Sequence, residues 1–332
     1  MRNILCVTLI ALLGGCTSTS VTEKYQDKRN DIINVKDKVI EFETGNVLIG
    51  SVSRLYMSNK CLLIADHKSV DKQIHIFNKN DFSYLTSIGN FGEGPEEITV
   101  MGCLAIDEAH HQLYVSDHAK QKIFSYDMDS VMVDSLYKPQ VKTAMNETLF
   151  PSEYQYINDT LSIAVLIKPT STSTFNQFLC RWNMNTGEMI PMKYTHPDIQ
   201  KKRITFAASE KAGIYVECYT RHDLMTICSL DGELLYNIYG PDWDGGNGNK
   251  LQSFGTVMIG NDKIFVSYCG EDYARDSFPT KILVFDLEGN YLKTLETGYK
   301  ISDCCYDSFN NRIILSLNDV VQFAYLDIDG II

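Results

Sequence analysis

Several things are scarce in this chain of 332 residues, and each scarcity narrows the reading. Proline numbers 8 and tryptophan 2, so no proline-rich linker or collagen-like repeat is present. No apolar run approaches the roughly 20 residues that a transmembrane helix needs. The longest, Ile4 to Leu13, is far shorter. Positive charge is in deficit, with 30 Lys and Arg against 42 Asp and Glu and a net charge of −12. That balance argues against nucleic acid and against direct adsorption to anionic lipid. The patterns GxSxG, HExxH and CxxC are missing, so hydrolase, zincin and thioredoxin-like chemistry lack their usual carriers. There is no GxGxxG and no Walker lysine, which removes the common phosphate loops. No stretch has the 3.6-residue period of a long amphipathic helix.

What is present is a repeat. LLIAD begins at Leu62, LYVSD at Leu113, LSIAV at Leu161, IYVEC at Ile214, IFVSY at Ile264 and IILSL at Ile313, at intervals of 51, 48, 53, 50 and 49 residues. A period near 50 with several strands per repeat indicates a six-bladed β-propeller of four-stranded antiparallel blades. The first five repeats each supply four strands. The sixth, Lys300–Tyr306, Arg312–Leu317 and Val321–Leu326, runs out of chain with three. Ahead of the first blade lies an unassigned strand-like run, Val39 to Glu43. The expectation is that this N-terminal strand completes the last blade, closing the ring and removing an open edge. Blade two is expected to end on a strand over Met132–Tyr137. Short helical pieces are expected at Pro95–Met101 and Pro197–Lys202.

The turns divide into two classes. First-to-second and third-to-fourth connections are short and carry Asn, Asp and Gly, as at Asn261-Asp262 and Asp231-Gly232. These residues supply the positive φ that tight hairpins need. Second-to-third and inter-blade connections are long, among them 168–176, 195–203, 240–254 and 270–280. The two classes emerge on opposite rims, and long loops on a rigid scaffold are where binding usually sits.

The N-terminus reads as a lipoprotein signal over residues 1–15. Arg2 supplies the positive charge, Ile4 to Leu13 the short apolar segment, and Leu13-Gly14-Gly15-Cys16 the cleavage box, with Cys16 as the lipid site. Residues 16–37 read as a polar lipidated tether, and 38–332 as the propeller. The expected location is the bacterial cell envelope, anchored to the outer membrane through lipid alone. Eight cysteines remain after Cys6 and Cys16: Cys61, Cys103, Cys180, Cys218, Cys228, Cys269, Cys304 and Cys305. Most sit in apolar strand patterns, which suits small buried hydrophobes. Cys304 and Cys305 are adjacent in a strand and so point to opposite faces.

One local motif follows the first blade: Gly89-Asn90-Phe91-Gly92-Glu93-Gly94-Pro95-Glu96-Glu97. Together with the lipobox and the six repeats, this run resembles that of the TolB-like six-bladed β-propeller lipoproteins. Gly92, Gly94, Pro95 and Glu96 match the family run. Glu97 departs from it, at a position where glycine is more frequent. The resemblance implies an envelope lipoprotein with no established catalytic set, acting by binding or scaffolding.

Candidate binding residues are those at the long-loop rim. Asp66-His67 and Asp117-His118 occupy equivalent places in adjacent blades. A carboxylate beside an imidazole suits metal binding or acid–base work, but it also suits a plain strand-end cap. Arg221, His222, Trp243, Tyr273 and Arg275 come from loops of the fourth and fifth repeats. Asp242 to Asn247 fails the spacing of a calcium loop, and no cofactor or metal site is assigned. The reading is a non-enzymatic binding protein for a protein or an extended polar ligand. The alternative is a metal-dependent lactonase-like or lyase-like enzyme using the central funnel, for which the inner strands offer Asp107, Asn158 and Asp303, all expected near the turn ends of their strands.

Overall fold

The computed structural model describes residues 22–134, 136–146, 148–171, 175–246, 251–275 and 277–332. Six sheets stand around one axis. Blade one is Ser53–Met57, Cys61–Asp66, Lys72–Asn78 and Tyr84–Asn90. Blade two is Met101–Asp107, Gln112–Asp117, Lys122–Asp127 and Gln140–Ala144. Blade three is Phe150–Asn158, Leu161–Pro169, Phe175–Trp182 and Met189–Pro191. Blade four is Ile204–Ser209, Ile214–Tyr219, Leu224–Ser229 and Leu234–Tyr239. Blade five is Leu251–Gly260, Lys263–Asp272, Lys281–Asp286 and Tyr291–Glu296. Blade six is Ile301–Asp307, Arg312–Leu317 and Phe323–Asp327, completed by Val39–Glu41.

The repeat signature follows from this packing. Each blade has a neighbour on both faces, so its second strand is buried on both. All six residues of Cys61–Asp66 and of Arg312–Leu317 are buried. That is why LLIAD and its counterparts read as apolar runs rather than as alternation. Six apolar clusters fill the six seams between blades, one to each seam. The eight cysteines of the described residues are all free and buried, as small hydrophobes.

Ring closure is as expected. Val39–Glu41 pairs antiparallel with the last strand, Leu326 opposite Val39 and Ala324 opposite Glu41. Phe42 continues the ladder, donating its N–H to Phe323 O at 3.1 Å, and stacks on Phe82 of blade one at 3.9 Å between ring centres. The closing strand therefore ties blade six to blade one with an aromatic contact as well as backbone pairing.

Two expectations are corrected. Blade two does not end on Met132–Tyr137. Asp127 caps a short helix over Met128–Val133, its carboxylate accepting the Ser130 N–H at 2.7 Å, and the outer strand is displaced to Gln140–Ala144. Capping satisfies donors that a continuing strand would leave unpaired, and Val131 is thereby buried. Pro95–Met101 and Pro197–Lys202 form turns rather than helices, and Met101 already belongs to an inner strand.

The segment read as a tether is largely docked. Glu23–Tyr25 adds a fifth strand to blade four, parallel to Asn237–Tyr239, and Ile32–Asn34 does the same on blade five beside Thr294–Glu296. Between them Arg29 reaches into the body of the propeller. Its guanidinium pairs with buried Asp223 at 2.7 Å and faces the rings of Phe254, Tyr268 and Phe285 at 5.5–5.7 Å. The chain thus wraps blades four, five and six before it enters blade one.

Breaking a buried pair from one side leaves an uncompensated charge, which costs about 3–5 kcal/mol. Arg29→Ala is expected to lose stability of that order in urea unfolding at neutral pH. Burial raises the Asp223 pKa, and Arg29 holds it down. Without Arg29 the folded pKa rises further above the unfolded one. The protonated carboxyl is then favoured in the fold, so the deficit is expected to be smaller at pH 5 than at pH 8. An equal deficit at both would mean that Asp223 is not the group left exposed to the loss.

Candidate functional site

Strand direction puts the first-to-second and third-to-fourth connections on one rim and the second-to-third and inter-blade connections on the other; the first rim carries tight turns except in blade two, where residues 128–139, with the short helix, join the third strand to the fourth. Asp66, His67, Asp117, His118, Arg221, His222, Trp243, Tyr273 and Arg275 all lie at the second, long-loop rim. They do not form one cluster. They fall into a group over blades one and two and a group over blades four and five.

In the first group the carboxylates are structural. Asp66 accepts the backbone N–H of Gly50 at 2.7 Å and of Lys68 at 2.9 Å. Asp117 accepts those of Thr99 at 2.8 Å, Val100 at 3.2 Å and Ala119 at 3.0 Å. Each pins the incoming inter-blade connection to the corner of its blade. The imidazoles pack at the same rim, His118 edge-on to Phe150 at 4.8 Å between ring centres. His118 packs on Gly102, where a Cβ would lie 2.0 Å from Nε2, so only glycine leaves room for the ring. His67 Nε2 is buried without a hydrogen-bond partner. Burial lowers the pKa of both, helped at His67 by Arg54 and at His118 by His67, with Asp66, Asp303, Asp117 and Glu153 opposing.

The glycine motif belongs to the same corner. The Glu97 carboxylate accepts the Gly94 N–H at 2.8 Å. The carbonyls of Gly94 and Glu97 take the Lys120 ammonium at 2.8 and 2.6 Å, and that of Gly92 lies at 3.4 Å. Glu97, the departure from the family run, is therefore the residue that closes the turn. Glu96 lies outside, paired with Lys138 at 2.8 Å. The loop is a clasp that holds one connection to the next blade.

In the second group Arg221 lies over the Tyr273 ring at 3.9 Å, and Arg275 pairs with Glu271 at 3.1 Å. Trp243 is not an exposed anchor. It packs against Tyr239, His196 and His222 at 5.0, 5.6 and 6.0 Å, as a lid on its own blade. Beneath it His222 is only 8% exposed, and its Nδ1 has no hydrogen-bond partner. Burial lowers its pKa, and Asp244 opposes that. His222 floors an open cleft of about 520 Å³ whose walls include Asp198, Lys201 and Gly246.

The central funnel encloses about 440 Å³, lined by the inner strands. Its polar groups include Arg54, Glu153, Gln155, Thr256 and Asp303, and of these only Asp303 was read from the sequence. They act between blades. Arg54 pairs with Glu153 at 2.9 Å, from blade one to blade three. Asp303 accepts the Leu55 N–H at 2.8 Å and the Thr256 hydroxyl at 2.6 Å. The Gln155 amide brackets the Ala208 backbone at 2.8 and 2.9 Å. The signal available in the sequence was a polar residue in the first half or middle of four of the inner strands. Asp303 sits at the long-loop end of its strand, not at the turn end as expected. Asp107 and Asn158 are at the turn end. There Asp107, His110 and Asp159 form the one triad with metal-ligand spacing among the described residues. Its groups already serve the hairpin: Asp107 accepts from the His110 N–H and the Tyr114 hydroxyl, each at 3.1 Å.

Comparison with known proteins agrees with the architecture. Residues 17–179 match the model of the family DUF5128, described as 6-bladed beta-propeller. No curated protein matches the chain. Among solved structures, a protein from Bacteroides fragilis NCTC 9343 assigned as exported is similar at 13% identity and TM-score 0.58, over 89% of this chain and 87% of that one. A member of the duf4221 family from Bacteroides vulgatus is similar at 10% identity and TM-score 0.54, over 87% and 94%. A luciferin-regenerating enzyme is similar at 8% identity and TM-score 0.58, over 88% and 95%. At such identities the likeness is one of fold alone, and the function of this chain has to be argued from its own surface.

The histidines provide a direct test of the site's electrostatics. An NMR titration is expected to place His67, His118 and His222 below the ordinary histidine pKa near 6.5. Exposed His110, hydrogen-bonded to Asp107, is expected above it. A neutral imidazole favoured by the fold adds stability above the unfolded pKa, and that stability is lost as pH falls through the folded one. The His67→Gln, His118→Gln double variant should therefore lose less stability than wild type between pH 6.5 and 5. An unchanged slope would mean that these rings titrate as in water.

Proposed function

We propose that this propeller is a lipid-anchored, non-enzymatic binding protein of the bacterial cell envelope. It takes a protein or an extended polar ligand on its long-loop face. The observation that carries the reading is the asymmetry of the two rims. One rim is trimmed to tight turns apart from the helix-bearing connection 128–139 of blade two. The other collects the remaining long connections and the cleft over His222. Arg221 on Tyr273 and Arg275 beside Glu271 supply mixed charge and aromatic surface at that cleft's side of the ring, which suits polar partners. The lipid anchor rests on Leu13-Gly14-Gly15-Cys16, which lies outside the described residues, and on the TolB-like resemblance. The exported assignment of the Bacteroides fragilis structure is consistent with an envelope location.

The enzyme reading has less support. The charged groups of the funnel already have partners: Arg54 pairs with Glu153, Asp303 holds the Leu55 N–H and the Thr256 hydroxyl, and Glu108 holds the Asn59 N–H. They act as ties between blades.

Two measurements test the proposal. Metabolic acyl labelling is expected to mark the wild type and not Cys16→Ala, and label persisting in the variant would refute Cys16 as the lipid site. Crosslinking capture from cell envelopes is expected to fall about tenfold in an Arg221→Ala, Arg275→Ala double variant, the scale of one interface anchor. An Asp231→Ala, Glu288→Ala control on the tight turns is expected to be unaffected. Loss in the control and retention in the double variant would put the functional face on the wrong rim.

A further inference from the structure

Blade two departs from its neighbours at one place on the short-turn rim. Its third-to-fourth connection carries the helix Met128–Val133, where blades one, three, four and five make short turns. The helix is firmly held. Asp127 caps it, the Met128 N–H donates to His111 O at 2.8 Å, and His111 Nδ1 lies 2.7 Å from the Asp129 carboxylate. Val131 is buried in the seam between blades one and two. The helix thereby walls off a crevice of about 160 Å³ between the turn at residues 58–60 of blade one and the turn at residues 107–112 of blade two. Glu108 ties the two turns together, accepting the Asn59 N–H at 2.7 Å, and the Ser58 hydroxyl accepts the Cys61 N–H at 2.8 Å. The walls are fixed by the protein's own hydrogen bonds, so little ordering cost falls on a ligand.

Two features of the crevice specify an occupant. The first is size and softness. A cavity of about 150 Å³ lined by apolar side chains accepts one benzene ring. The apolar lining here is Cys61, Leu63, Ile106, Leu113, Met128 and Met132. Three of these six carry sulfur. Methionine adapts its shape to what it packs on, and its sulfur makes favourable contacts with the edge of an aromatic ring. The second feature is charge. Asp107, Glu108 and Asp129 lie on the crevice with Lys60 and His111. Asp107 is taken up by His110 and Tyr114. Glu108 and Asp129 are exposed and stand at the lip, where their excess of negative charge favours a cation.

We propose that this crevice binds a small aromatic amine. A single ring sits between Cys61, Met128 and Met132, and the ammonium group lies at the lip beside Glu108 and Asp129. The site is on the rim opposite the long-loop face, so it stands or falls independently of the role proposed for that face.

The test is an NMR titration of the full chain labelled with ¹³C at its methionine methyl groups, the Met128 and Met132 signals being assigned from Met128→Leu and Met132→Leu. The probe is 2-phenylethylammonium. It is expected to move the Met128 and Met132 signals and no other methionine, with saturation by about 10 mM, the range set by a modest efficiency per atom for so small a ligand. The uncharged 2-phenylethanol, of the same shape, is expected to bind at least fivefold more weakly, and ethylammonium, which lacks the ring, to leave both signals in place. In a Glu108→Gln, Asp129→Asn double variant the amine is expected to fall to the affinity of the alcohol while the alcohol binds as before, which also shows that the crevice has kept its shape. Should the variant bind neither, the wild-type comparison decides alone. Absence of a saturable shift at Met128 and Met132, or equal binding of amine and alcohol by the wild type, would overturn the assignment.

Discussion

A four-stranded sheet that is apolar on both faces has no stable existence alone. That constraint organises this molecule. Each blade here presents such faces, and each is covered only by its neighbours, through the six seams. A linear stack would leave two faces wet. A ring leaves none, provided that it is closed. Closure by Val39–Glu41 on the last strand is therefore a requirement of burial rather than an ornament of topology. Aromatic packing of Phe42 on Phe82 carries the join across the sixth seam.

Once the ring is closed, the polar residues near its axis have little freedom. Arg54, Glu153, Gln155, Thr256 and Asp303 come from four different blades and meet around the funnel. Their carboxylates and amides are used between blades, where an unpaired group would be costly. Asp66 and Asp117 do the same at the outer corners, each holding the connection from the preceding blade. The docked N-terminal strap extends the principle to the circumference. It supplies strands to the outer edges of blades four and five and drives Arg29 against Asp223, within an aromatic setting that shields the pair.

A good deal of this was legible beforehand. The 50-residue repeat, the turn classes and the missing fourth strand of blade six are one-dimensional signals, and they specified ring, rims and closure. The Asp-His pairs were correctly placed on the long-loop rim. Their division of labour was not legible, because it depends on which backbone N–H groups the neighbouring connection brings within reach. Trp243 in its Gly- and Asn-rich loop looked exposed. It is packed because His196, Tyr239 and His222, far apart in the chain, build a floor beneath it. The polar strap was misread for a related reason. Glu23–Asn34 has no apolar pattern of its own, since it binds mainly through backbone pairing and one arginine.

Local chemistry thus determined the class of the protein: short turns where Asn, Asp and Gly permit positive φ, central strands where apolar runs demand burial on two sides, and a period that only a ring satisfies. The tertiary structure alone decided which polar residues are spent and which remain available. Carboxylates at sequence positions that look like ligands are consumed by backbone donors of the adjoining connections, while His67 Nε2 is buried without a hydrogen-bond partner and His222 Nδ1 faces only the Asp244 carboxylate, at 3.7 Å. The physical reason is range. Strand, turn and period are set by residues a few positions apart, whereas the pairing of a buried charge is set by whatever the fold brings to within 3 Å of it.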